Sequence, residues 1–111
     1  MADENILQPK TLTEFQSILD QNRERLIVVD FYASWCSPCR GIAPKFSKLA
    51  RENTNCVFLK IDVGEAEDIA ALYDVRLMPT FVFIRNGKQV DSVEGSLEEN
   101  LEKAILRHKK N

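Results

Sequence analysis

Two cysteines three positions apart, Cys36 and Cys39, are the residues of this sequence best suited to chemistry. On the first turn of a helix that spacing puts both side chains on one face, close enough to join as a disulfide. The position also favours one of them. Unpaired N–H groups and the positive end of the helix dipole stabilise a thiolate at Cys36. Lowering a thiol pKa by about one unit from ~8.5 raises the thiolate at pH 7 from roughly 3% to roughly a quarter. Nucleophilicity falls along with the pKa, so the net rate gain is only about threefold. The larger advantage is that Cys39 waits beside the sulfur it must attack.

The competing chemistry for such a pair is half of a metal site. A tetrahedral zinc centre needs two more ligands. Only Cys56 and His108 remain, and their spacing is not that of a ligand pair, so no metal is expected. Asp30 is the other residue that stands out, because it interrupts the apolar run Leu26-Ile27-Val28-Val29-Asp30-Phe31. A carboxylate inside a buried strand is costly unless it is neutral or paired, which makes a reason for its presence expected.

The elements that must position these residues alternate between strand and helix. Thr11 or Thr13 caps a first helix; with Thr11 as the cap, Glu14 completes a capping box, and Phe15, Ile18 and Leu19 form the buried stripe. Leu26 to Phe31 is a short central strand covered on both faces. A second helix starts at about Cys36 to Pro38 and runs to about Glu52. Pro38 is tolerated in its first turn, and Pro44 is expected to kink it. Ile42, Phe46, Leu49 and Ala50 give its apolar stripe. A strand over Val57 to Val63 and a short helix over Ile69 to Tyr73 come next. Thr80 to Ile84 is strongly strand-like, and Asn86-Gly87 marks a hairpin into Gln89 to Val93. Ser96-Leu97-Glu98-Glu99 has the pattern of a capping box, opening a last helix with Leu97, Leu101, Ala104 and Ile105 facing inward. Asn5 to Leu7 is a candidate extra strand. The class is α/β, a mixed sheet between helices.

The chain has 111 residues, 44% of them apolar and 29% charged, which fits a single domain over 1–111 with one core. A net charge of −2 gives no electrostatic reason for nucleic acid or an anionic membrane as partner. The basic end, Arg107-His108-Lys109-Lys110, reads as a solvated helix terminus that complements the dipole. The acidic opening Met1-Ala2-Asp3-Glu4-Asn5 lacks the apolar stretch of a secretory signal, and no run approaches the roughly 18 apolar residues of a membrane span. A cytoplasmic monomer is expected. Three cysteines are too few for a disulfide scaffold, and Cys56 reads as a small buried hydrophobe.

The run Val29-Asp30-Phe31-Tyr32-Ala33-Ser34-Trp35-Cys36-Ser37-Pro38-Cys39-Arg40 resembles the active-site strand and helix start of the thioredoxin family. The likeness continues through Lys60-Ile61-Asp62-Val63, Val75-Arg76-Leu77-Met78-Pro79-Thr80-Phe81, Asn86-Gly87 and Gly95, in order over essentially the whole chain. It implies a thioredoxin-like fold and a thiol–disulfide oxidoreductase that reduces protein disulfides as an electron carrier. Cys36 would be the nucleophile and Cys39 the resolving cysteine. Asp30 would exchange protons with Cys39, with Lys60 modulating it.

The resemblance also implies a substrate surface. Pro79 matches a cis-proline facing the cysteines, so that Met78 would offer its backbone to an extended substrate segment. Trp35 would be an apolar platform, and Gly95 would keep a third loop thin. Residues between the cysteines, here Ser37 and Pro38, tune the redox potential. The family's commonest pattern has glycine where Ser37 stands and lysine where Arg40 stands. Recharging by an NADPH-dependent thioredoxin reductase is implied, so the chain itself would carry no cofactor. An oxidant or isomerase on the same fold fits less well without a signal segment. A binding module is the rival of another class, but a pure scaffold has no need of a buried acid.

Overall fold

A computed structural model describes residues 5–110; the acidic opening, Met1 to Glu4, lies outside them. The elements run β1 (Ile6–Leu7), α1 (Leu12–Gln21), β2 (Ile27–Tyr32), α2 (Ser37–Glu52), β3 (Val57–Asp62), α3 (Glu67–Leu72), β4 (Thr80–Arg85), β5 (Lys88–Glu94) and α4 (Glu98–His108). The five strands form one sheet in the order β1-β3-β2-β4-β5. Strands β1, β3 and β2 are parallel, while β4 and β5 continue the sheet antiparallel. The alternating first half of the chain supplies the parallel part, since each parallel connection needs a crossover. The Asn86-Gly87 hairpin supplies the antiparallel edge. Both turn residues have positive φ, 55° and 76°, as a tight primed turn requires.

Burial follows the two-residue period of the strands. One face of the sheet packs Ile27, Val29, Phe31, Leu59 and Ile61 against Phe15 and Leu19 of α1 and Ile69 of α3. The other face packs Val28, Phe58, Phe81 and Phe83 against Ile42, Phe46 and Leu49 of α2 and Leu101 and Ile105 of α4. Here Phe46 meets Phe58 edge-on and stacks on Phe81, with centroids 5.4 and 5.7 Å apart.

The start of α1 is the expected one: Thr11 accepts from the Glu14 N–H while the Glu14 carboxylate accepts from the Thr11 N–H, at 3.1 Å each. Helix α2 passes through Pro44 without ending. Helix α4 corrects the expectation. It begins one residue late, with Leu97 at the cap position and no side-chain cap bond, and Leu97 is 67% exposed instead of facing inward. The reason lies just upstream, where Gly95 turns with φ of +95° and donates its N–H to Pro79 O at 2.8 Å. That contact sets where the chain leaves β5, and Ser96 is left outside the helix. Glu98 and Glu99 in the first turn still suit the dipole. The basic end is more than a solvated terminus, because Arg107 and His108 both contact Asp91 Oδ2 on β5 at 2.8 Å.

Candidate active site

Strand register explains why distant residues meet. Phe31 on β2 pairs with Thr80 on β4, and Thr80 pairs with Glu94 on β5. The segments that follow β2, precede β4 and follow β5 therefore emerge at the same end of the sheet. They carry Trp35 to Cys39, Met78–Pro79 and Gly95. Tyr32 and Asp62, paired across β2 and β3, mark the same end.

Cys36 is the N-cap of α2, and Cys39 lies in its first turn. The two are joined as a disulfide with Cα atoms 5.3 Å apart. The Cys39 N–H points at Cys36 Sγ, 3.1 Å away, so one orphan donor of the helix start is aimed at that sulfur. Pro38 in the first turn withdraws no donor that the helix could use. In this oxidised form both cysteines are 5% exposed, so accessibility does not distinguish them; position on the helix does. They form a small cluster with Ala33, against which Tyr32, Val63 and Met78 pack.

The surface around the disulfide is apolar and open. Trp35 is 72% exposed, which rules out core packing for its indole, and Leu77 is 51% exposed. The Met78–Pro79 peptide bond is cis, and the Met78 carbonyl oxygen lies 3.6 Å from Cys36 Sγ. Pro79 is buried and Met78 half-buried beside it. Thr80 Oγ1 donates back to Leu77 O, bracing this turn from behind. Nothing lies within 4 Å of where a Cβ on Gly95 would stand, so its positive φ, and not crowding, is what favours glycine.

Asp30 sits on the sheet face that α2 covers, 1% exposed, opposite Phe81 on β4 and Lys60 on β3. Its Oδ1 has no hydrogen-bond partner. Burial pushes its carboxyl from the usual 3.8 up to about 7, with the Lys60 charge opposing the rise. Lys60 is not ion-paired to it. The ammonium lies over the Tyr32 ring, 4.7 Å from the centroid.

Two residues at the site carry more than their sequence signals suggested. Arg40 donates through Nη1 to Ser34 O at 2.9 Å and through Nη2 to Ser37 Oγ at 3.0 Å, clasping the turn that holds Trp35 and Cys36. Ser37 and Arg40, the two departures from the commonest family pattern, thus contact each other. Tyr32 was not singled out, although a strand's alternation places it on the same face as Asp30. Among the described residues no cluster of His, Cys, Asp and Glu could hold a metal.

A cysteine pair at a helix start, a cis-proline turn beside it and a mixed sheet between helices define a thiol–disulfide oxidoreductase. Residues 7–107 match the family model described as Thioredoxin. Thioredoxin-1 of Caenorhabditis elegans is 43% identical over 96 residues, covering 86% of this chain and 84% of that protein. The X-ray structure of Fasciola hepatica thioredoxin superposes with a TM-score of 0.91 at 48% identity, over 93% of this chain and 99% of that one. A thioredoxin of Nicotiana alata gives a TM-score of 0.93 at 34% identity, over 99% and 97% of the two chains. The chain belongs to the thioredoxin family.

Proposed function

We propose that the chain works as a protein-disulfide reductant in which Cys36 attacks and Cys39 resolves. The reduced Cys36 thiolate attacks one sulfur of a substrate disulfide, forming a mixed disulfide and releasing the other substrate sulfur as thiolate. Cys39, deprotonated, then attacks Cys36 Sγ. The Cys36–Cys39 bond forms, the substrate is left as a dithiol, and two electrons have passed to it. Asp30 in its carboxylate form accepts the Cys39 proton, and Lys60 biases how readily it does so. The observation that carries the assignment is the 3.1 Å contact from the Cys39 N–H to Cys36 Sγ, which stabilises negative charge on one sulfur of the pair.

Trp35, Met78, Pro79 and Gly95 form the surface that receives substrate, with the Met78 backbone pairing to an extended segment. Ser37 and Pro38 tune the potential, Ser37 through its bond to Arg40. The family relationship supports recharging by an NADPH-dependent thioredoxin reductase, with no cofactor held by this chain.

Trapping tests the division of roles. Cys39→Ser should accumulate mixed disulfides with substrate proteins, and Cys36→Ser should trap none. Equal trapping by both variants overturns the assignment. The unaltered protein should accelerate insulin precipitation by dithiothreitol, whereas a binding module gives only the blank rate.

A further inference from the structure

Lys60 has two destinations for its charge. It pairs in register with Asp30 across parallel strands, and both side chains lie on the sheet face that α2 covers. The Asp30 carboxyl is buried, and one of its oxygens lacks any hydrogen-bond partner. An ammonium one strand away would be expected to fill that vacancy. Instead it sits over the ring of Tyr32, two residues further along β2. The same tyrosine packs against the cluster of Ala33, Cys36 and Cys39.

We propose that Tyr32 is a positioning residue that holds Lys60 off Asp30, keeping the buried carboxyl unpaired. The inference rests on the reading that Asp30 exchanges protons with Cys39.

An aromatic face attracts a cation through its quadrupole and leaves the cation partly hydrated. A direct ion pair with Asp30 would instead favour the carboxylate strongly and hold it ionised. An acid held ionised is a poor base, so diversion of the ammonium preserves the function proposed for Asp30. The other groups facing this place do not compete for the role. On β4 the neighbour of Asp30 is Phe81, which carries no charge. On α2 the residues packed over this face are the apolar Ile42, Phe46 and Leu49, and Cys39, bonded to Cys36 in this form, has no thiol to titrate. Asp62, Lys10 and Glu65 are the other charged groups that act on Tyr32. Of these, Asp62 Oδ1 accepts the Gly64 N–H at 2.8 Å, and Glu65 pairs with Lys10 at 3.2 Å.

The test is a carbon NMR titration of the Asp30 carboxyl in the oxidised protein, where neither active-site cysteine titrates. Tyr32→Leu should lower the Asp30 midpoint by about half a pH unit, as the released ammonium moves onto the carboxylate. Tyr32→Phe retains the ring and should leave the midpoint in place. Lys60→Met should raise it, and in that background Tyr32→Leu should have no further effect. An unchanged or raised midpoint in Tyr32→Leu, as a swing of Lys60 to Asp62 or to water would give, overturns the proposal. So does an equal fall with and without Lys60.

One measurement needs no variant. The Lys60 Hε protons of the unaltered protein should be shifted upfield by the ring current of Tyr32, and unshifted resonances overturn the proposal even if Tyr32→Leu does not fold. None of these readouts depends on turnover. A kinetically idle Asp30 would appear elsewhere, as unchanged rates in Asp30→Asn.

Discussion

The two faces of the sheet are built from alternate residues of the same strands, yet they have different tasks. Val29 and Phe31 point to the side covered by α1 and α3, where the buried strand residues are apolar apart from Thr80, whose hydroxyl donates to Leu77 O. Asp30, between them, points to the side covered by α2 and α4. Both sides exclude water, and among the described residues only one holds a buried carboxyl with an unsatisfied oxygen. One face is spent wholly on stability. The other gives up some stability for a group that titrates near neutrality, at the end of the sheet where the disulfide lies.

The largest effect expected is on the apolar face. Phe31→Ala removes a fully buried ring that touches Tyr73, with centroids 5.9 Å apart. Unfolding free energy should fall by about 3–5 kcal/mol, measured by denaturant midpoint. The pH dependence of turnover should keep its shape, because the change lies across the sheet from Asp30. A displaced pH profile would mean that the faces are not separable.

Asp30→Asn is the counterpart. Asp30 has its folded pKa raised from 3.8 to about 7, so its stabilising contribution is fully present below pH ~3.8 and is lost as pH rises through about 7. Across that window the fold loses about 4 kcal/mol in all, because the carboxylate is costlier to bury than the acid. The asparagine variant should therefore be more stable than the parent at pH 8 and gain little at pH 4. Its turnover should fall, most clearly near pH 7. Unfolding curves at the two pH values and a rate profile over pH 6 to 8 check both halves. Unchanged turnover with raised stability would make Asp30 a structural acid only.

The smallest effect is expected at Cys56. It is buried, and burial pushes its thiol up in pKa, so it is a poor nucleophile at neutral pH. Cys56→Ser should leave insulin-reduction turnover unchanged and lower stability by about 1 kcal/mol, as a hydroxyl replaces a small apolar group. A large loss of turnover would give Cys56 a part in the reaction.

The comparison also shows which features a sequence carries openly. Local chemistry was legible: Thr11 with Glu14 forms its box, Asn86-Gly87 makes its turn, and Cys36 stands at the cap while Cys39 lies inside the helix. Each depends on residues within a few positions of one another. Ser96 misled because a tertiary bond, from the Gly95 N–H to Pro79 O, governs where α4 begins. The direction taken by Lys60 was hidden for a similar reason. Register brings it to Asp30, and only the packed site shows its ammonium over the Tyr32 ring. The exposure of Trp35 was legible only through the family resemblance, which implies a platform there, since an indole beside a buried strand suits a core as well as a surface.

Cys36 and Cys39 are separated by only three positions. A crosslink stabilises a fold chiefly by removing disorder from the unfolded chain, and a ring this small has little disorder to remove. The chain-entropy estimate is about 2 kcal/mol, against ~3 for a 15-residue loop. Reduction and unfolding close a thermodynamic cycle, so whatever the bond adds to the fold, the fold adds to the bond. On that scale, folding lowers the reduction potential of the pair by only roughly 40 mV relative to the same two cysteines in the unfolded chain. The bond can therefore be made and broken at each turnover while the sheet and helices around it stay folded.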